Sequence, residues 1–99
     1  MKKEYLTVKG NTRITEEYEL HGTITGNTTV SGGGIFKCYG TCKGDVIIEM
    51  GGETFLYGTV EGNVQNRGGY LEISGEIKGS LSKAAGHTVV HDGAKLSGK

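Results

Sequence analysis

The chain has 99 residues, which is enough for one domain but not for two separate hydrophobic cores. Its 11 Lys and Arg balance 11 Asp and Glu, and this zero formal charge argues against a nucleic-acid binder with a basic face and against a polybasic membrane peptide. The 19 glycines without a proline exclude collagen, 34% apolar residues is too many for plain disorder, and 2 cysteines are too few for a secreted disulfide scaffold.

The first residues, Met1-Lys2-Lys3, carry two basic side chains, but the apolar segment of a signal peptide does not follow them. No apolar run elsewhere in the sequence reaches the length of a transmembrane helix. We therefore expect a cytoplasmic protein that does not insert into a membrane.

Residues 1–21 are predicted to form an irregular first coil of the repeat that follows them. Leu6 lies one full repeat before Ile24, as a regular coil requires. The segment Val8-Lys9-Gly10-Asn11, however, is shifted by about two residues from the corner that the same repeat would place there.

A motif of glycine, any residue, apolar residue, any residue, glycine recurs through residues 22–98. Its four clear copies occupy residues 22–26, 40–44, 58–62 and 75–79, and Gly93 and Gly98 frame a looser last copy. The spacing between copies is constant except for a single deletion between Gly62 and Gly75. The residue after each clear copy is Asn27, Asp45, Asn63 or Ser80, all of which favour tight corners. This spacing predicts regular structural repeats over residues 22–98.

Apolar and polar residues alternate between the glycines, which is the pattern of β-strands. The column two positions before the first glycine contains Leu20, Cys38, Leu56, Ile73 and His91, and the column two positions after it contains Ile24, Cys42, Val60 and Ile77. Each repeat has room for about three short strands and for no helix of ordinary length. We predict an all-β, single-domain β-solenoid, a parallel β-helix of about five coils of 17–18 residues, in which equivalent residues of neighbouring coils lie about 4.8 Å apart.

Few residues offer chemistry. Cys38 and Cys42 fall on inward columns, so we predict reduced, buried thiols that act as small apolar residues, and His91 is predicted to face inward at the last full coil. The three histidines form no zinc-binding pattern, and no nucleophile with a base or pair of carboxylates marks a cleft. We therefore predict that the protein is not an enzyme and has no catalytic, cofactor or metal site, no small-molecule substrate and no nucleic-acid partner.

Three aromatic residues of the middle coils, Tyr39, Phe55 and Tyr57, are predicted to cluster on one outer face. An exposed aromatic patch surrounded by charges is a candidate contact surface for a protein. Tyrosine also favours strands for its own packing, so the pattern fits either a contact surface or a structural role.

The two ends of the solenoid are further candidate contact surfaces. Tyr5, Leu6 and Val8 supply apolar groups at the start, and Leu96 supplies one at the finish between Lys95 and Lys99. Uncapped ends expose free N–H and C=O groups that can pair with another strand. We therefore expect a homo-oligomer joined end to end, with side-to-side pairing through the aromatic patch as the alternative.

The glycine rhythm of residues 18–98 resembles that of the bactofilins and related polymer-forming cytoskeletal proteins. The segments Tyr57-Gly58-Thr59-Val60-Glu61-Gly62-Asn63-Val64 and Ile73-Ser74-Gly75-Glu76-Ile77-Lys78-Gly79-Ser80-Leu81 carry this resemblance. It implies a right-handed, triangular β-helix that assembles into filaments without a nucleotide, through contacts between coil ends. The residues leave a second function open, a small module that binds one specific protein, such as a toxin-neutralising immunity protein or an adaptor.

Overall fold

The computed structural model describes residues 2–96, and the regular elements in this range are all β-strands. The strands stack on three faces. Face 1 contains β1 (Lys2–Glu4), β4 (Glu17–Leu20), β7 (Ile35–Cys38), β10 (Glu53–Leu56) and the second halves of β12 (Val64–Ile73) and β14 (Leu81–Val90). Face 2 contains β2 (Thr7–Val8), β5 (Thr23–Ile24), β8 (Thr41–Cys42), β11 (Thr59–Val60), β13 (Glu76–Ile77) and β15 (Lys95–Leu96). Face 3 contains β3 (Thr12–Ile14), β6 (Thr28–Val30), β9 (Val46–Ile48) and the first halves of β12 and β14.

Every strand pairs in parallel with the equivalent strand of a neighbouring coil. On face 2, for example, Ile24 pairs with Cys42 and Cys42 pairs with Val60, in each case one full repeat further along the chain. The chain is therefore a single-domain β-solenoid of about five coils, as the sequence predicts.

The core consists of the inward residues of all three faces. Leu56 and Val60, on the two columns that flank the repeat glycine, are buried, whereas Thr59 between them faces outward and is half-buried. The buried apolar residues are Ile14, Tyr18, Leu20, Ile24, Val30, Phe36, Cys38, Cys42, Val46, Ile48, Leu56, Val60, Val64, Leu71, Ile73 and Ile77.

Two columns of glycine are required because successive coils approach each other closely at the corners of face 2. A Cβ atom at Gly40 would overlap the carbonyl oxygen of Gly22, and a Cβ atom at Gly44 would lie 2.5 Å from the carbonyl oxygen of Gly26. No side chain fits at that distance from backbone. This close approach is the physical cause of the periodic glycines.

The corner after face 2 is stabilised by a series of side-chain oxygen atoms that accept hydrogen bonds from the backbone of the next coil. The backbone N–H of Asn27 donates to Oδ1 of Asn11, and that of Asp45 donates to Oδ1 of Asn27, both at 2.9 Å. The N–H groups of Asn63 and Ser80 continue the series at 2.8 Å, to Asp45 and Asn63 respectively. The residues that follow the repeat therefore connect neighbouring coils as well as forming the turn.

The first coil is shorter than predicted. Ile24 pairs with Val8 rather than with Leu6, and Leu6 instead holds the position of the repeat glycine one coil before Gly22. The expected match of Leu6 to Ile24 is therefore wrong. The cause is the corner after β3, where only residues 15 and 16 stand in place of residues 31–34 of the next coil.

The last coil is also out of the predicted register. Val90, not His91, pairs with Ile73 and continues its column, and His91 is exposed. The prediction that His91 faces inward is wrong because the corner after β14 spans residues 91–94, where the previous coil has only residues 74 and 75. Gly93 therefore lies in an inserted turn with φ +90°, and Gly98 lies outside the described residues.

The deletion between Gly62 and Gly75 falls at the corner between faces 3 and 1, which contains Gly68 and Gly69. Residues 67–69 there replace residues 49–52 of the preceding coil, and β12 runs through the corner as one strand. The buried side-chain amide of Asn66 provides hydrogen bonds for the backbone at this corner, because its Nδ2 donates to the carbonyl oxygens of Gly69 and His87 at 3.1 Å. Asn66 thus holds a core position that is apolar in the preceding coil, and its hydrogen bonds compensate for the burial of its amide.

Candidate functional site

Four aromatic side chains stack along the edge between faces 1 and 2, just before the corner of each coil. They are Tyr5, His21, Tyr39 and Tyr57, and we call them the aromatic ladder. The ring centroids lie 4.7 Å apart for Tyr5 and His21, 5.0 Å for His21 and Tyr39, and 4.9 Å for Tyr39 and Tyr57, and the ring planes are within 12° of parallel. This spacing matches the separation of parallel strands, so the solenoid itself sets the stack.

The ladder is open to solvent along its length. Tyr39 and Tyr57 are 46% and 47% exposed, because their faces cover each other while their edges point outward. Nε2 of His21 lies 3.2 Å from Oε1 of Glu19, which orients the one imidazole ring within the stack. The result is a fixed row of ring edges with a carboxylate beside it, a surface suited to contact with another protein.

The predicted aromatic patch is divided between two places. Tyr39 and Tyr57 do stack, but Phe55 lies on face 1, half-buried, with its ring tilted by 54° against Tyr70 at 5.9 Å. Tyr70 in turn stacks on His87 at 5.6 Å. Phe55 therefore belongs to a second aromatic group on the outer surface of face 1.

Beside this second group, a carboxylate connects two side chains near the last coil. The hydroxyl of Tyr70 donates to Oε2 of Glu72 at 2.5 Å, and Nε2 of His91 lies 2.8 Å from Oε1 of the same residue. These bonds, that of Tyr70 first and that of His91 second, lower the pKa of the Glu72 carboxyl, and the bond to Glu72 raises the pKa of Tyr70. The arrangement fixes the position of the His91 ring.

The N-terminal end of the solenoid is partly closed by polar groups. Val8 is half-buried against the core, while Leu6 is 74% exposed at the corner. The Glu4 carboxylate stands over the apolar column that contains Leu20, where it accepts a 3.3 Å hydrogen bond from the Leu6 backbone. Burial, and then this carboxylate, raise the pKa of Tyr18 in the first covered layer.

The C-terminal end of the solenoid presents both polar and apolar residues in the core columns, since Lys83 pairs with Asn66 and Thr88 pairs with Leu71. Val90 and Leu96 continue the core columns of Ile73 and Ile77, yet each is 42% exposed. Leu81 and Ala94 lie beside them, partly buried against the core. Within residues 2–96, the far edges of β14 and β15 pair with no further strand.

Cys38 and Cys42 are buried and are not joined by a disulfide, as the sequence predicts. Their sulfur atoms lie 3.8 Å apart across a corner of the core. The hydrogen bond between the thiols, together with burial, raises the pKa of Cys38, so its thiolate is not accessible at neutral pH.

The described residues contain no group of three or more His, Cys, Asp or Glu side chains placed to hold a metal ion. They also contain no helix long and apolar enough to cross a membrane. Comparison of the chain with protein-family models, with curated proteins and with solved structures found no match.

His21 shares the outward repeat position of Tyr39 and Tyr57 but is not among the predicted contact residues, and Tyr5 is predicted only as an apolar group of the first end. Tyr5 is closer to His21 than one regular repeat, so the constant spacing of the later coils does not align them. A signal was present, since Gly10 and Asn11 precede Gly26 and Asn27 by the same shortened interval. A search for a shortened first coil would have placed Tyr5 in the ladder.

Proposed function

We propose that this protein is a non-enzymatic structural module that self-associates through the ends of its solenoid, as its resemblance to the bactofilins implies. One observation carries the proposal: Val90 and Leu96 occupy core columns at the C-terminal end and remain 42% exposed. Inside the solenoid, each residue of these columns is covered by the next coil. A second molecule placed on this end would remove the same apolar surface from water.

The backbone of the last coil supports the same proposal. The long strand β14 runs along two faces, and its outer edge offers N–H and C=O groups to a further strand. Each end also carries one charged residue in a core column, Glu4 over Leu20 at the N-terminal end and Lys83 over Asn66 at the C-terminal end. With two exposed apolar columns and a free strand edge, the C-terminal end is the association surface of this proposal, and its partner is a second copy of the chain.

A cytoplasmic location belongs to this proposal. The sequence supports it, since 2 cysteines are too few for the disulfide scaffold of a small secreted protein.

Light scattering of surface variants tests the proposal. Leu96→Lys places a charge in the core column at the C-terminal end and should dissociate the oligomer. Leu6→Lys makes the same change at an exposed position of the opposite end, and should leave association intact if only the C-terminal ends meet. An oligomer that survives Leu96→Lys and Val90→Lys, singly and combined, would contradict the proposal.

The aromatic ladder favours a second candidate function, the binding of one specific protein. Its exposed ring edges, at Tyr39 and Tyr57 above all, form a rigid surface away from both ends. Tyr57→Lys should abolish binding of such a partner without changing the mass of the free protein. If Tyr57→Lys instead dissociates a homo-oligomer, the copies pair side to side.

A further inference from the structure

Inside the solenoid, each strand pairs with the third strand further along the chain. This holds from β1 with β4 and β2 with β5 up to β13 with β15, when the two halves of β12 and of β14 are counted as separate strands. Within residues 2–96, the last three strands, which are the two halves of β14 and then β15, have no such later partner. The first three strands, β1, β2 and β3, have no earlier partner. Each end of the solenoid therefore presents three free strand edges.

A second copy of the chain can continue this order. Its β1 then pairs with the first half of β14, its β2 with the second half, and its β3 with β15. All three pairs are parallel, as are the pairs inside the solenoid. Since β1 belongs to face 1 and the first half of β14 to face 3, the second copy is turned by one face relative to the first.

The charged side chains in the core columns of the two ends are opposite in sign. Glu4, half-buried, continues the column of Leu20, and Lys83, exposed, continues the column of Asn66. When inward residues of β1 are placed opposite inward residues of β14, Glu4 comes to lie beside Lys83, about 4.8 Å away between the strands. Opposite charges in this position stabilise a pair of strands. Two C-terminal ends placed against each other would instead bring two copies of Lys83 into one interface.

The apolar groups of the two ends also meet in this arrangement. A cavity of about 290 Å³ lies at the first coil, and its apolar lining is Val8, Ile14 and Tyr18. The exposed Val90 and Leu96 of the other copy belong to the strands placed against β2 and β3. A cavity of about 150 Å³ can already hold a benzene molecule, so the cavity at the first coil has room for aliphatic side chains of the other copy.

We propose that copies of the chain join head to tail, with the N-terminal end of one molecule on the C-terminal end of the next, a turn of one face between them, and Glu4 and Lys83 as the charge pair of the joint. This inference rests on the self-association proposed above and names the surface of the second copy that the C-terminal end takes. Each added copy leaves one free end of each kind, so the assembly is an open filament with a direction. Two C-terminal ends that met each other would close as a dimer.

Sedimentation velocity of charge variants tests the joint. Glu4→Lys and Lys83→Glu each bring like charges together and should weaken association at least about tenfold, whereas the double variant restores an opposite pair and should associate within about threefold of the unmodified protein. Lys78→Glu makes the same change at an exposed position on the side of the solenoid and should have no effect. Unchanged association of the single variants, or a double variant as weak as they are, would overturn the proposal.

Cross-linking tests the contact directly and does not require Glu4→Lys to fold. Glu4→Cys and Lys83→Cys place thiols on neighbouring strands of the joint, within reach of a disulfide. With oxidised glutathione, a mixture of the two variants should give a covalent dimer that contains one copy of each, and Lys83→Cys alone should give none.

The outcomes separate this inference from the self-association on which it rests. A covalent dimer of Lys83→Cys alone, or no dimer in the mixture while the unmodified protein associates, would overturn the head-to-tail arrangement and leave self-association standing. An unmodified protein that stays monomeric at millimolar concentration would overturn both.

Discussion

At the scale of single residues, the fold depends on two demands that alternate along the chain: apolar side chains that face the core, and glycines where coils touch. Val60 and Gly58 illustrate them on the same short segment. Val60 is fully buried, and Gly58 leaves no room for a Cβ atom beside the carbonyl oxygen of Gly40. Both demands repeat from coil to coil, which is why the sequence is periodic.

A charge at Val60 should unfold the protein. Burying an unpaired carboxylate costs several kcal/mol, against a total stability of about 5–15 kcal/mol for a domain of this kind. Val60→Asp and Leu56→Asp should therefore lose the β-sheet signal in circular dichroism at room temperature. Thr59→Asp is the matched control, since that side chain faces outward, and it should lower the melting temperature only slightly. If Thr59→Asp is as damaging as Val60→Asp, the inward and outward positions are exchanged.

A methyl group at Gly58 should be far more damaging than its size suggests. Gly58→Ala forces the backbone of two coils apart, with an expected loss of about 1–3 kcal/mol in the free energy of unfolding. Gly32→Ala is the control, because the nearest atom to a Cβ there is the carbonyl oxygen of Met50 at 3.1 Å. Chemical denaturation measures both, and equal losses would show that close coil contact is not the reason for glycine at position 58.

The buried thiols should be slow to react. Cys38 and Cys42 have no exposed surface, so a thiol reagent should label them only as fast as the protein opens, and rapidly in denaturant. Mass spectrometry of a labelling time course measures this. Fast labelling of the native protein would remove both cysteines from the core and would make a redox role worth testing.

At the scale of strands and corners, the sequence predicts the regular coils well and the first and last coils poorly. The columns through Leu20, Cys38, Leu56 and Ile73 are correct because glycine spacing reports the close coil contacts directly. The exposed corners can gain or lose residues without disturbing the core, so the apolar columns do not reveal the short corner at residues 15 and 16 or the long one at residues 91–94. Gly93 lies in the long corner, and its spacing from Gly75 imitates that of a repeat glycine. These two corners displaced Leu6 and His91 from their predicted places.

The sequence also predicts the candidate site only where the coils are regular. The stack of Tyr39 on Tyr57 follows from two regular coils of equal length. Side-chain direction is not encoded in the spacing, so the sequence did not separate Phe55, which turns towards Tyr70, from the ladder. That Ser74 holds the ladder position between Tyr57 and His91 follows only from the true register of His91.

An added ring should stabilise the ladder. Ser74→Tyr extends the stack from Tyr57, and an aromatic pair contributes about 0.5–1.5 kcal/mol beyond its area. Thermal unfolding should therefore show a melting temperature several degrees above that of the unmodified protein. Ser80→Tyr adds the same side chain without a ring neighbour and should change it little. A destabilised Ser74→Tyr would mean that the position over Ser74 cannot hold a ring.

At the scale of the whole molecule, the coils cover one another's apolar columns and strand edges inside the solenoid, but at its ends these columns and edges are left uncovered. Along the sides, backbone groups pair between coils and the apolar columns are closed. At the C-terminal end, Val90 and Leu96 stand in those columns with 42% of their surface exposed. The ends are therefore where a further molecule adds most, and the function that we propose follows from this difference between sides and ends.

Sedimentation velocity of the unmodified protein, from micromolar to millimolar concentration, tests the proposed self-association most directly. If the ends associate, the weight-average sedimentation coefficient rises with concentration beyond that of the 10.5 kDa chain, and Leu96→Lys removes the rise. A single species of 10.5 kDa over the whole range would contradict end-to-end association and leave the binding of another protein as the function to pursue.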